Sequence, residues 1–391
     1  MSNDSKHNPN RRRAIGLIGG GMVLATTGLA GCSSTYPEAA VRAWIAPVEQ
    51  TDVRRFMLAH ALLAPNPHNR QPWLADLRRN DEITLVCDKD RLLPETDPFG
   101  RQILIGCGAF IELAVIAAAE LGYRVRVDTF PQGEPAANEL PGGAVVAKLF
   151  LTADASLARD PLFAQIRLRR TNKNAYDNAR RLPDALWPQL ASSAGAFGLL
   201  TGEVSDSDRI ERIRLLTRAS FATEMTTPRT WLESANLLRI GPAEIEKHRD
   251  GISVMGAVPR LMTSFGMFDR FEVPTPGSTG YSQVMERWMP FETGSGYFWI
   301  ASKGNSRRSQ VESGRAYVRA HLQATANGVE MHPLSQALQE FAEVRAQYDA
   351  LYPLIKLDPA QTTIQMLARV GYAKVAAPPT PRRDLAQMVT T

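Results

Sequence analysis

Cysteine is scarce in this chain of 391 residues, with only Cys32, Cys87 and Cys107 present. There is no CxxC pair or Cys/His spacing of a zinc site, and three thiols do not make a disulfide scaffold. The six histidines are scattered and never form HExxH, so no metal site is expected. No GxGxxG follows a strand-like run and no Walker loop occurs, which excludes dinucleotide-binding and P-loop architectures. The net charge of +5 is modest, and Lys and Arg form no stripe interleaved with aromatics, so nucleic acid is not an expected partner. What is present is ordinary globular material: 44% apolar and 22% charged residues, long enough for a large core and two domains. Packing is the expected role of Cys87 and Cys107.

The N-terminus reads as an address. Arg11 to Arg13 precede a Gly-rich, mildly apolar run that ends in LAGC. This resembles a twin-arginine export signal, with Arg12 and Arg13 as the pair, closed by a lipobox whose lipidated residue is Cys32. The alternative is a signal anchor that stays attached. Either version places the folded part outside the cytoplasm, on the periplasmic or cell-surface side of the membrane, touching the bilayer only through the N-terminal anchor. The twin-arginine resemblance also implies a protein exported folded, often with a cofactor already loaded.

Beyond residue 32 the pattern is α+β. Val53–Leu63 reads as a helix, Glu82–Asp88 as a strand, Gly106–Gly122 as a buried helix closed by glycine, and Tyr123–Phe130 as a strictly alternating strand. Later, Gly296–Gly304 reads as a strand and Ser313–Gly328 as a second glycine-ended helix. Superposing these helices puts Gly108 on Gly314 and Gly122 on Gly328, which suggests one unit used twice. The expected division is a signal over 1–32, a first half over 33–160 and a second half over 161–391. A Pro- and Gly-interrupted, Met- and Phe-rich insertion at about 225–298 reads as a lid or as a helical subdomain.

Two stretches carry candidate chemistry. In LLAPNPHNRQPWL (62–74), Pro65, Pro67 and Pro72 stiffen a loop, while Asn66, Asn69 and Gln71 each offer a donor and an acceptor. Such amides suit a heterocycle edge, or they bond the loop's own backbone. His68 reads as a satisfied loop histidine and Trp73 as the anchor into the core. In RLRRTNK (167–173), which follows a helix-like run from Pro161, Arg169, Arg170, Thr171 and Lys173 suit a phosphate monoester, or are a solvated charge run. Arg382 and Arg383 in the Pro-rich tail could complete the clamp. Phosphate on one side and a polar ring edge on the other describes a mononucleotide.

APNPHNRQPW resembles the PSxxNxQPW loop of nitroreductase-fold flavoproteins, RRTNK resembles their RxSxR phosphate motif, and the closing GY segment with TPRR resembles their final strand and basic tail. The chain is more specifically similar to the Acg-like family, in which two nitroreductase-like halves are fused. The resemblance implies a pseudo-dimer in one monomeric chain that binds FMN as cofactor, with a small oxidised molecule as its second partner. Pro65, Asn66, Pro67, Asn69 and Gln71 would line the flavin, and Arg169, Arg170, Thr171 and Lys173 with Arg382 or Arg383 would hold its phosphate. Pro333, Leu334 and Ser335 fall where the family places backbone N–H groups near flavin N5. Departures are Asn66 and Pro67 in place of serine, Lys173 in place of arginine and Gln336 in place of glycine. The expected function is two-electron transfer through the flavin; the alternative is a non-catalytic flavin holder. The mirror site, lacking both motifs, is expected to be degenerate.

Overall fold

The computed structural model describes residues 36–49, 51–255 and 269–390. The export signal, Cys32 and part of the Met- and Phe-rich segment lie outside the described residues.

The first half begins with helices α1 (Glu38–Ile45) and α2 (Val53–Ala61). Asp52 caps α2, accepting from the Arg54 N–H at 2.9 Å. After the proline-rich loop come β1 (Trp73–Asp76), β2 (Glu82–Cys87), α3 (Arg101–Glu120), β3 (Tyr123–Thr129) and β4 (Val145–Ala153). The strands form an antiparallel sheet in the order β1-β2-β4-β3. The second half repeats the scheme with α4 (Leu186–Ala194) and β5 (Leu200–Val204). A long connection then carries α5 (Ser207–Thr226), α6 (Pro228–Asn236), β6 (Leu238–Ile240), α7 (Gly241–His248), β7 (Ile252–Val254) and α8 (Thr279–Trp288). The repeat resumes with β8 (Gly296–Lys303), α9 (Arg307–Ala326), β9 (Glu330–Pro333), α10 (Arg345–Ile355) and β10 (Thr362–Gly371). Its sheet runs β5-β8-β10-β9, the same path as the first. The expected α+β class and tandem halves are therefore present.

The halves meet where α3 crosses α9. A Cβ on Gly108 would lie 1.9 Å from Val311 O, and one on Gly314 would lie 1.9 Å from Ile105 O. Val311 and Ile105 each stand three residues before the opposite glycine, so the crossing is locally two-fold symmetric. Only glycine permits backbones this close. Helix α3 is long and apolar enough to cross a membrane by composition, but 83% of that stretch is buried inside the protein. Its all-round hydrophobicity reflects its place between the halves. The C-terminal β11 (Val389–Thr390) pairs parallel with β1, so the tail of the second half closes onto the first sheet.

Three boundaries differ from the sequence pattern. Helices α3 and α9 start earlier, at Arg101 after the left-handed Gly100 and at Arg307 after the Ser306 cap. Pro161–Gln165 forms only a 3-10 turn, because Phe163 is fixed in a stack with Phe56 and His60 and the chain must swing Arg169 inward. The connection with no first-half counterpart leaves directly after β5. Helix α5 packs its Ile210 and Ile213 in one cluster with Leu351 and Leu354 of α10.

Candidate functional site

The loop between α2 and β1 is held in an unusual backbone state. His68, Asn69 and Gln71 have φ of 47°, 50° and 52°, the left-handed region that side chains other than Asn and Asp disfavour by about 1 kcal/mol or more each. The loop's own amides hold it there. Asn66 Oδ1 accepts from Gln71 N–H at 2.7 Å and its Nδ2 donates to Ala64 O. Asn69 Nδ2 donates to Pro381 O at 3.0 Å, and its Oδ1 accepts from Arg382 at 2.9 Å. Gln71 Oε1 accepts from Arg383 N–H at 2.8 Å, and Nε2 donates to Arg249 O at 2.8 Å. The three amides thus tie the loop to the tail and the insertion, and their side chains are occupied. Asn66 and half-buried Pro67 lie over α3 at Gly106, Pro65 is half-buried beside them in the chain, and buried Trp73 anchors the exit.

Beneath the loop lies a cluster of cations. Arg169 and Arg382 are buried, and Arg170 is half-buried. All three guanidinium groups surround the indole of Trp44 on α1, at 5.8, 5.1 and 4.3 Å from its centroid respectively. Arg169 and Arg382 both donate to Leu63 O. Among the described residues, none of the three has a carboxylate within 4.0 Å. Burial pushes Arg169 down to about 10, with Arg170 adding repulsion, and holds Arg382 well below its ordinary value, with Arg169 and Arg170 adding repulsion. The donors of Arg382 are saturated by Leu62 O, Ala64 O, Pro381 O, Asn69 Oδ1 and Thr380 Oγ1. Arg169 differs: its Nε is buried with no hydrogen-bond partner, and its Nη1 reaches only Thr171 Oγ1 at 3.4 Å. Arg383 is turned to Gln71 O, Gln387 O and, at 3.6 Å, Asp88. The tail arginines brace the loop, while Arg169, Arg170 and Thr171 retain capacity for an anion.

Lys173 points to a different neighbourhood. It remains accessible to solvent, yet it is hemmed in closely enough that desolvation lowers its pKa, with the nearby Glu224 carboxylate pulling the other way. Around it are His68, Glu224 and His332. Arg369 holds the backbone on both sides of Lys173, donating to Asn172 O at 3.2 Å and Asn174 O at 2.9 Å, and donates to His332 Nδ1 at 3.1 Å. Burial drives His332 well below its ordinary pKa, and the Arg369 and Lys173 charges add to the shift. Next to His332, Pro333 has no N–H, and the Leu334 N–H is committed to Leu367 O at 2.8 Å. Within the expected N5 segment, half-buried Ser335 is left with the uncommitted backbone N–H.

The mirror face is built differently. Where the first half has its amide loop, the second has Gly195–Leu199, and Phe197 lies 4.7 Å under the Arg315 guanidinium. Glu112 there accepts from Arg315 and Arg319 at 2.8 Å each, and Arg319 also reaches Asp160 at 2.7 Å. An open groove runs past these residues and Ser192 and Ser193, but its arginines are neutralised by acids. The uncompensated charge of the arginine cluster, in contrast, marks the better site for an anion.

Two contributors escaped the sequence. Trp44 sits in an unremarkable amphipathic helix, and nothing in its spacing tells of the three arginines around it. Glu224 lies within a polar helical run, and only the fold turns it toward His68. The expected satisfied histidine, His68, instead has a buried Nδ1 with no partner.

Fold and site together define a two-halved α+β chain with a seam of buried, uncompensated arginines beneath a braced amide loop. No family model matches it. It is 28% identical over 344 residues to Rv3131 of Mycobacterium tuberculosis, covering 86% of this chain and 90% of that protein. It is also 28% identical over 350 residues to acg of the same bacterium, covering 86% and 94%. Both relatives bear names that propose an NAD(P)H nitroreductase. The solved FMN-dependent nitroreductase NfnB of Mycobacterium smegmatis, in complex with NADPH, is similar over 58% of this chain and 96% of its own, at 15% identity and a TM-score of 0.36. The chain's homologues are Acg-like nitroreductase-type proteins, matched along most of its length.

Proposed function

We propose that this protein is an exported, lipid-anchored, FMN-binding oxidoreductase of the nitroreductase type, working as a single-chain pseudo-dimer with one flavin site. The observation that carries this reading is the cluster of Arg169, Arg170 and Arg382 around Trp44, without a carboxylate partner and with Arg169 Nε unpaired. Buried charge without compensation is costly, and a phosphate supplies the missing partner. Arg169, Arg170 and Thr171 would hold the phosphate, Lys173 and the Ser335 N–H would meet the polar ring edge, and the braced loop would form the opposite wall. FMN, when bound, supplies hydride chemistry that no side chain here can perform. The relatives' names support NAD(P)H as the electron donor. Rigid bracing of the loop by tail and insertion lowers the ordering cost of binding. The N-terminal pattern of Arg12, Arg13 and Cys32 supports export and anchoring.

A second reading, flavin holding without turnover, draws on one observation. The insertion bonds directly to the loop, through Gln71 Nε2 to Arg249 O at 2.8 Å, Gly251 N–H to Asn69 O at 3.4 Å and Arg70 to Asp250 at 3.5 Å. Such cover restricts access. The two are separated by loading the protein with FMN and mixing it anaerobically with NADPH. Bleaching of the flavin, followed by reoxidation on adding a quinone, supports the oxidoreductase. Flavin that no donor reduces supports the holder, and protein that takes up no FMN overturns both.

A further inference from the structure

The insertion brings a buried carboxyl group against the loop and the arm. Glu224 lies in the last turn of α5, where the helix's negative end disfavours a carboxylate. Five side chains from four directions face it: His68 of the loop, Lys173 of the arm, Gln336 and Gln339 from the segment after β9, and Glu233 of α6. His68 Nε2 lies 3.8 Å from Glu224 Oε1. Among the described residues His68 Nδ1 is buried without a hydrogen-bond partner, and Glu224 Oε2 has none within bonding distance although the Gln336 and Gln339 amides face the carboxyl. A buried orphaned donor or acceptor is costly, and His68 is held in addition at a strained φ of 47°. Strain and unpaired polar atoms together mark a group awaiting a ligand rather than a packing choice.

We propose that Glu224 and His68 form a proton relay for the reduction of a small quinone-type substrate that reaches His68 from the exposed side of Lys173, with Glu224 as the store and His68 as the group that touches the substrate oxygen. This rests on the oxidoreductase reading above. FMN, when bound and reduced by a nicotinamide donor, would supply the two electrons and the first proton to the substrate as a hydride. For the second proton, the Nδ1–H bond of His68 breaks, the proton bonds to the substrate oxygen, and the bonding pair stays on the ring. Nε2 takes the proton of the Glu224 carboxyl, whose O–H pair remains on the carboxylate. The substrate gains two electrons and two protons, leaving as the hydroquinone. Glu224 is left ionised within reach of the Lys173 charge and regains a proton from water. Burial keeps Glu224 protonated up to about 7 and keeps His68 neutral down to about 4, so acid and acceptor are in the required forms near neutral pH.

The test uses the full chain and two readouts. Infrared difference titration of flavin-free protein should show a protonated carboxyl band disappearing near pH 7, absent in Glu224→Gln. A band that titrates near pH 4 overturns the relay without any flavin present. In FMN-loaded, pre-reduced protein, single-turnover reduction of a benzoquinone should slow above pH 7. Glu224→Gln should abolish that pH dependence and cut the rate ~100-fold while leaving FMN affinity unchanged. His68→Asn, which tolerates the left-handed backbone, should likewise abolish the pH dependence and cut the rate of the FMN-loaded protein, and serves if Glu224→Gln fails to fold. Bound FMN with unaltered rate and pH profile in either variant overturns the relay, whereas failure to bind FMN overturns the function proposed above instead.

Discussion

Arg169 shows what a single residue can reveal about a site. Its buried guanidinium has one strong acceptor, Leu63 O at 2.9 Å, and an idle Nε, whereas Arg382 beside it is saturated. A charge-assisted bond from Arg169 to a phosphate is worth about 1.5–3 kcal/mol, so Arg169→Ala should weaken FMN binding ~10–100-fold in a fluorescence titration. Unchanged affinity in a folded variant would place the phosphate elsewhere. Glu224 gives a second prediction at this scale. Its pKa rises from 4.5 unfolded to about 7 folded, chiefly through burial. The native state therefore binds the extra proton, so the stability this group contributes is complete below pH 4.5 and is lost as pH rises through 7. By linkage, Glu224→Gln should be near neutral at pH 4 and stabilising by about 3 kcal/mol at pH 8 in denaturant melts. A pH-independent difference would show that Glu224 is not held protonated.

At the scale of elements, the crossing of α3 and α9 joins the halves, and its glycines have no room for a methyl group. Gly314→Ala must drive a Cβ into Ile105 O, so it should destabilise by about 3 kcal/mol or more, or yield insoluble protein. A thermal midpoint equal to that of the parent would refute the close crossing. In the sequence the equal glycine spacing pointed only to one unit used twice; that Gly108 and Gly314 are also the point where the two helices touch is visible only in the fold. The loop and arm were legible through proline, asparagine and arginine in dense motifs. The use of the amides was less so. Asn66, Asn69 and Gln71 could face a ligand or their own chain, and only the fold shows Arg382, Arg383 and Arg249 taking them up. Trp44 and Glu224 were silent because their roles depend on partners more than 100 residues away. The 3-10 turn at Pro161–Gln165 was misread as a helix because its start signals, Asp160 and Pro161, are those of a helix, while the stacking of Phe163 that ends it is tertiary.

The molecule as a whole divides labour between its halves. The first contributes loop and Trp44, the second contributes arm and tail, and the insertion latches across both through Glu233, which accepts from the Glu95 and Thr96 N–H groups at 3.0 and 2.9 Å. On the mirror face Glu112 and Asp160 already compensate Arg319. If Cys32 anchors the chain, Cys32→Ala should move the protein from the membrane fraction to the soluble exported fraction; unaltered partitioning would argue for a retained signal anchor. One phosphate-reading flavin site is proposed at the seam between the halves. Parallel equilibrium titrations of the flavin-free chain with FMN and with riboflavin, which differ only in the phosphate, decide the matter. Saturation at one FMN per chain with riboflavin bound far more weakly is the expected result; equal affinity for the two, or two FMN per chain, would refute the site.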